Sequence, residues 1–186
     1  MKIRNIKNEP EILDTQAEIN IWLDSYDDIF SDFDSSPYSE KTLSDDFLSQ
    51  AKKISKNKVG KKIFLRFFIP LNKRNEADEK IIIQRLNYYF KHINQQLKTE
   101  IKNTNIKGWL LSFIGIGLMI IASYLSFIKS QVYYVHLLLV FFEPAGWFLL
   151  WGGLDNLVYN TKDSKKELSF YSKMTIAKIE FLTSKK

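Results

Sequence analysis

The dominant pattern along the chain is a pair of long apolar runs in its second half. Residues 108–128 contain no charged side chain, and residues 132–154 contain one, Glu143. A helix of the 21 residues in the first run is about 31 Å long and matches the hydrocarbon core of a bilayer. Only Lys129, Ser130 and Gln131 separate the runs. The pattern predicts two transmembrane helices in a tight hairpin, and a buried helical pair of a soluble protein is the alternative.

Shorter periodic segments flank the apolar runs on both sides. Helical spacing predicts helices over residues 15–31 (after a capping box at Thr15–Glu18), over 40–56, from Glu76 onward, and after a second capping box at Ser164–Glu167. Asn103, Asn105 and Gly108 are expected to break the helix that begins at Glu76. Alternation predicts strands over 62–69, after a turn at Val59-Gly60, and over 175–182. Neither strand can satisfy its backbone alone, so we expect them to pair.

These elements predict an α+β membrane protein. A domain of about three to four helices and a small sheet, built from both ends of the chain, is joined to a transmembrane hairpin. We expect residues 1–107 to form most of this domain, 108–156 to form the hairpin (108–128 and 132–154), and 157–186 to complete the domain with a helix and a strand.

Charge is distributed unevenly and predicts an orientation. The net charge is −8 over residues 1–50, +11 over 51–107 and +3 over 108–186. Anionic lipid headgroups are the nearest counter-charge for the basic block, although acidic and basic helices could instead pack together. Six lysines flank the outer ends of the runs, namely Lys98, Lys102, Lys107, Lys162, Lys165 and Lys166. Only Lys129 lies in the turn, so we expect an inner-membrane protein with both termini cytoplasmic. The first 14 residues lack the apolar segment of a cleaved signal peptide.

Small residues recur along one face of the first run. They are Gly108, Ser112, Gly115, Ala122 and Ser126, and with Met119 between Gly115 and Ala122 the series follows steps of three or four. Such a face lets another backbone approach closely. The partner is either the second run of the same chain or a neighbouring copy, and we expect a homo-oligomer.

Glu143 is the most unusual residue of the second run, because it lies near the predicted bilayer midplane. An ionised carboxylate there is costly, so it should be protonated, paired or facing a polar cavity. Pro144 is expected to kink the helix, and His136 lies on almost the same face. One hypothesis is a proton- or ion-responsive site or a polar contact between subunits. The alternative is a hydrogen bond to Ser112, Ser123 or a backbone carbonyl.

Two further patterns suggest chemistry. Arg85 and His92 fit an R-x(4–6)-H pattern, which resembles the motif of HEPN ribonucleases. The resemblance implies general acid–base catalysis of phosphodiester cleavage. Asp32, Asp34 and Ser36 have the spacing of the first three side-chain ligands of a calcium-binding loop, but Pro37 occupies the position where that loop requires glycine. With no Cys and two His, we expect no metal and no cofactor, and nucleic acid is not an expected partner.

The segments EPAGWFLLWGGLD and IAKIEF resemble a set of uncharacterised small two-span prokaryotic membrane proteins, a resemblance that implies topology only. The favoured hypothesis is an inner-membrane protein whose cytoplasmic domain binds or senses a partner, with its acidic N-terminal region as the docking surface. Its hairpin would oligomerise, and in a sharper version would perturb the membrane as an effector of a bacterial defence system. The alternatives are a membrane-tethered HEPN-like ribonuclease and an accessory subunit of a larger membrane complex.

Overall fold

The structure, a computed structural model, describes residues 16–56, 62–128 and 133–184. It is mostly helical, with a small parallel sheet and two long apolar helices. The elements in chain order are β1 (Gln16–Trp22), α1 (Asp45–Ser55), β2 (Lys62–Pro70), α2 (Glu76–Phe127), α3 (Tyr133–Val158), α4 (Lys162–Ile176) and β3 (Lys178–Ser184). Short 3-10 helices at Tyr26–Ile29 and Leu71–Lys73 follow β1 and β2.

The chain divides into two compact units. The first, called the sheet unit, comprises Met1–Lys91 and Ser172–Lys186. The second, called the helical unit, comprises His92–Tyr171. The connection between β2 and β3 therefore contains the whole helical unit.

The sheet has the strand order β1-β2-β3, and both neighbouring pairs are parallel. Phe64 lies opposite Lys178 and Phe67 opposite Phe181, so the predicted pairing of the strands that flank the apolar runs is confirmed. The strand predicted over 62–69 is one residue longer, and the strand predicted over 175–182 begins at Lys178 because α4 extends to Ile176.

The prediction of a helix over residues 15–31 is wrong. This stretch forms β1, a loop and a short 3-10 helix, and β1 pairs along its length with β2. Ala17, Ile19 and Ile21 are buried while Asn20 and Trp22 are exposed, which is the period of two that a strand requires. Of the predicted capping box, Thr15 lies outside the described residues, and Glu18 lies inside the strand.

One face of the sheet forms the core of the sheet unit. Aromatic rings contact one another across it: Phe67 lies 5.1 Å from Phe181 and 5.9 Å from Phe47, and Tyr26 lies 5.6 Å from Phe181, measured between ring centroids. Other buried side chains of the sheet unit come from its three strands and from α1 and α2, and include Ile19, Ile63, Leu65, Ile69, Ile179, Ala51, Ile82, Leu86 and Phe90.

The expected break in the third helix does not occur, because α2 continues without interruption to Phe127. Asn103, Asn105 and Gly108 all lie within it. Gly108 is buried, and a Cβ built on it would lie 2.8 Å from Leu157 Cγ of α3. The glycine therefore permits close helix packing and does not end the helix.

Other boundaries also differ from the predictions. The helix predicted over 40–56 begins at Asp45, after the N-cap Ser44, because Leu43 forms an antiparallel bridge with Phe30. The helix α4 begins at Lys162, so Ser164 lies within its first turn. The helix α3 extends to Val158, past the predicted end at residue 154. The predicted turns at Val59-Gly60 and Lys129–Gln131 lie outside the described residues.

Candidate functional site in the apolar helix pair

The two apolar helices are exposed over most of their surface. The most apolar 18-residue window of α2 has a mean hydropathy of 2.1 and is 17% buried. The corresponding window of the stretch Tyr133–Ile176, which contains α3 and α4, has a mean hydropathy of 1.6 and is 11% buried. The largest exposed side chains in these helices include Leu110, Phe113, Ile120, Val140, Phe148 and Trp151. The core helix of a soluble protein would be mostly buried.

The two helices make close backbone contact along a surface that we call the seam. It consists of Gly108, Ser112, Gly115 and Met119 on α2, and of Gly146, Leu150, Gly153 and Leu157 on α3. A Cβ built on Gly115 would lie 2.6 Å from Leu150 N, and one built on Gly153 would lie 2.6 Å from the Gly108 carbonyl oxygen. By contrast, a Cβ on Gly117 or Gly152 would have no neighbour within 4 Å. The seam therefore requires glycine at specific positions.

The seam brings together most of the small residues singled out in the sequence. Gly108, Ser112, Gly115 and Ala122 are all buried, and the structure places the first three against α3 of the same chain. Sequence reasoning missed the matching glycines of α3. These glycines are Gly146 and Gly153. Their spacing of seven residues, which places them on one helix face, is the sequence signal that could have identified them.

Ser112 is the one residue of the seam with a buried polar side-chain atom. Its Oγ has no hydrogen-bond partner among the residues that the structure describes. Ser112 therefore does not hold the carboxyl of Glu143, which removes one of the partners considered for that residue.

A groove of about 780 Å³ lies between the helices beyond the seam. Its lining is Met119, Ala122, Ser123, Ser126 and Phe127 from α2, with Glu143, Pro144 and Trp147 from α3. Glu143, Ser123 and Ser126 are exposed in it. Pro144 lies inside α3, where its ring nitrogen cannot donate to the carbonyl four residues before it. His136 is exposed on α3, outside the residues that line the groove.

Lysines and aromatic residues mark the ends of the helix pair. The exposed lysines are Lys98, Lys102, Lys107, Lys162, Lys165 and Lys166. Ser164 Oγ donates to Glu100 Oε1 at 3.3 Å, so the first turn of α4 lies beside α2 at this end. Trp109 and Tyr159 are exposed and lie close to these lysines in the sequence. Tyr124, Tyr133 and Tyr134 are exposed near the opposite end of the pair. Aromatic rings at both ends are typical of membrane-spanning helices.

The two residues of the ribonuclease motif have separate contacts. Arg85 donates from Nε to the Lys41 carbonyl oxygen at 3.1 Å and from a terminal nitrogen to that of Glu40 at 3.0 Å. Gln96 Nε2 lies 2.9 Å from His92 Nε2. HEPN domains are helical bundles, whereas this chain contains a parallel sheet. The structure thus adds no support for the ribonuclease hypothesis, which stays a prediction.

The acidic segment near β1 uses its carboxylates to shape a loop. Asp34 accepts hydrogen bonds from the backbone N–H groups of Ser36 at 3.0 Å and Thr42 at 2.7 Å. Hydrogen bonds from the side chain and backbone of Ser36, and then from those of Thr42, hold the pKa of its carboxyl well below the usual range. Asp27 pairs with Lys41 at 2.8 Å. Within residues 16–56, 62–128 and 133–184, no cluster of three or more His, Asp and Glu side chains could hold a metal ion.

Two shallow grooves in the sheet unit lie between this loop and α2. The first, of about 360 Å³, includes Asp27, Lys41 and Asp78. The second, of about 410 Å³, includes Glu40, Arg85 and Tyr88. Ser39 and Ile81 line both, so the grooves adjoin one another.

No protein-family model, curated protein or solved structure matches the chain. The resemblance to small two-span prokaryotic proteins stays a prediction.

Proposed function

We propose that this chain is an integral membrane protein in which α3 and the apolar part of α2 cross the bilayer as an antiparallel pair. The observation that carries the proposal is the exposure of both helices, whose most apolar windows are only 17% and 11% buried. Exposing that much contiguous apolar surface to water is unfavourable, whereas lipid tails solvate it. Helices also satisfy their own backbone hydrogen bonds, as a bilayer requires.

The dimensions of the pair support a full crossing. From Gly108 to the end of α2 at Phe127, the helix rises about 30 Å, which is close to the thickness of a hydrocarbon core. Exposed Trp109 and Tyr124 lie toward the two ends of this stretch, where their rings suit the headgroup level.

The lysines favour one orientation. Six of them lie on α2 and α4 at one end of the pair, against Lys129 in the connection at the other. By the preference of Lys and Arg for the cytoplasmic side, we place both ends of the chain and the sheet unit in the cytoplasm of a bacterial cell.

We further propose that the sheet unit docks a protein partner and that the helix pair anchors it. The grooves at Ser39 and Ile81 support this assignment, because they combine exposed Ile81 and Tyr88 with charged rims. Asp24, Asp27 and Asp28 beside β1 are exposed. This charge favours a partner with a basic surface.

The absence of cysteine from the chain allows a clean topology experiment. Single cysteines are introduced at Tyr133 and at Ser39, both of which are exposed. We expect a membrane-impermeant maleimide to label the Tyr133→Cys protein on intact cells and the Ser39→Cys protein only after lysis, with both proteins resisting carbonate extraction. Release by carbonate, or equal labelling of the two sites on intact cells, would contradict the proposal.

The finer hypothesis, a membrane-perturbing effector, depends on Glu143 and its groove. If it holds, expression of the wild-type chain should collapse the membrane potential, and Glu143→Leu should prevent the collapse. Gly117→Ala is the matched control, because a Cβ at Gly117 meets no neighbour within 4 Å. Full membrane potential in cells that express the wild-type chain would exclude this role.

A further inference from the structure

The groove beyond the seam presents polar groups where the proposed bilayer offers no partner. Glu143, Ser123 and Ser126 are exposed there, and Pro144 leaves one carbonyl of α3 without its helical donor. A serine hydroxyl can bond to the carbonyl of its own helix, whereas the carboxyl of Glu143 is exposed in the groove. An ionisable side chain near the middle of a membrane is costly unless it is protonated and hydrogen-bonded.

The seam cannot supply the missing contact. Its glycines are already packed against each other within one chain, and Ser112 is buried there without reaching the carboxyl. Glu143 is exposed in the groove, so a partner that approaches from outside the helix pair can reach its carboxyl.

A second copy of this chain fits the chemistry of the groove. A protonated carboxyl both donates and accepts a hydrogen bond, and so does a serine hydroxyl. Two grooves related by a two-fold axis are therefore self-complementary, since each can satisfy the other with the same groups. Ser123 and Ser126 are exposed and small, which lets a second helix approach closely.

We infer that two copies of this chain associate in the membrane through the groove lined by Ser123, Ser126 and Glu143, with protonated Glu143 of one copy hydrogen-bonded in the groove of the other. This inference rests on the proposed membrane insertion. It assigns the helix seam to folding of the single chain and the groove to assembly.

Cysteine cross-linking in native membranes tests the geometry. Ser123→Cys places a thiol in the groove. The matched control is Ile121→Cys, because Ile121 is exposed about 200° around α2 at almost the same depth. With a membrane-permeant oxidant we expect disulfide-linked dimers from Ser123→Cys and little from Ile121→Cys. Equal cross-linking of both variants, no dimer from Ser123→Cys, or an adduct with a different protein would overturn the inference.

Variants of Glu143 test the chemistry in the full-length chain reconstituted in bilayers. Glu143→Leu removes the hydrogen bond and should raise the dimer dissociation constant by about three- to thirtyfold. Glu143→Gln retains a neutral donor and acceptor and should dimerise like the wild type. An unchanged dissociation constant for Glu143→Leu would overturn the inference. Carbonate resistance of the same samples separates this failure from failure of the membrane assignment.

Discussion

Several charged side chains of the sheet unit are committed to holding its backbone in place. Asp28 accepts hydrogen bonds from the N–H groups of Asp24 at 2.6 Å and Ser25 at 3.0 Å, and Asp34 closes the loop that follows. Arg85 fixes the other end of that loop through two carbonyl oxygens. Residue type and spacing made Asp34 and Arg85 candidates for metal binding and catalysis. The backbone partners of Arg85 could not be predicted, because they lie 44 and 45 residues away along the chain. Asp34 bonds to Ser36 two residues on, which is a local turn contact that the sequence could have indicated.

A part-buried ion pair lies where β2 leads into α2. Arg74 donates from Nε to Glu79 Oε1 at 2.8 Å and from a terminal nitrogen to Oε2 at 2.9 Å, and the hydroxyl of Tyr26 donates to Oε1 at 2.9 Å. Burial opposes ionisation of Glu79, but the hydrogen bonds from Arg74 and Tyr26 outweigh it and hold the pKa of the carboxyl below its ordinary value. Burial also raises the pKa of Tyr26.

The depressed pKa of Glu79 gives the sheet unit a defined acid sensitivity. The stabilisation is fully present above the ordinary carboxyl pKa of 4.5 and is lost as the pH falls through the lower folded-state value. We expect Glu79→Gln to destabilise the sheet unit by about 1–3 kcal/mol at neutral pH and to reduce its acid sensitivity. Hydrogen-exchange protection of β2 amides, corrected for intrinsic rates, measures both effects. A variant that keeps the full wild-type dependence on pH would contradict this role.

At the scale of elements, two errors have the same physical origin. Within β1 and directly after it, Ile19, Trp22 and Leu23 also suit one face of a helix, so their local spacing favoured the helical period. The pairing of β1 with distant β2 makes this segment a strand. In α2, Gly108 looks like a helix breaker, yet its contact with α3 compensates for the low helix propensity of glycine. The two apolar runs and the strands β2 and β3 were predictable because their signals are local. The contacts that decide β1 and Gly108 join distant parts of the chain, so local patterns could not indicate them.

The seam predicts opposite responses from adjacent glycines of α3. A Cβ on Gly153 would lie 2.6 Å from the Gly108 carbonyl oxygen and 2.7 Å from Ser112 N, and these backbone atoms cannot move aside cheaply. We expect Gly153→Ala to weaken the helix pair by about 1–3 kcal/mol. Gly152→Ala has open space and should be neutral or stabilising by up to about 1 kcal/mol. Unfolding titrations of the reconstituted chain measure the difference, and equal effects would mean that the seam is not closely packed.

At the scale of the whole molecule, the sheet is completed only after the chain has passed through both apolar helices. Its central strand β2 precedes them, and its edge strand β3 follows them. The sequence allowed this closure to be predicted, because two isolated strands flank the apolar runs and need partners. The parallel order and the third strand could not be predicted once β1 had been assigned to a helix.

This closure makes the sheet unit dependent on the last strand, while the helical unit has its own packing. A chain that stops after Ala177 lacks Ile179 and Phe181, which are both buried, and leaves β2 without one neighbour. Loss of one buried Phe side chain alone costs about 3–5 kcal/mol, and a small domain has only about 5–15 kcal/mol to lose. We therefore expect amides of β1 and β2 to exchange rapidly in the truncated chain, while amides in the seam of α2 and α3 keep their protection. The control is Lys178→Ala, whose side chain is 72% exposed and whose removal should leave both units protected. Native protection of β2 in the truncated chain would show that the sheet unit folds without β3.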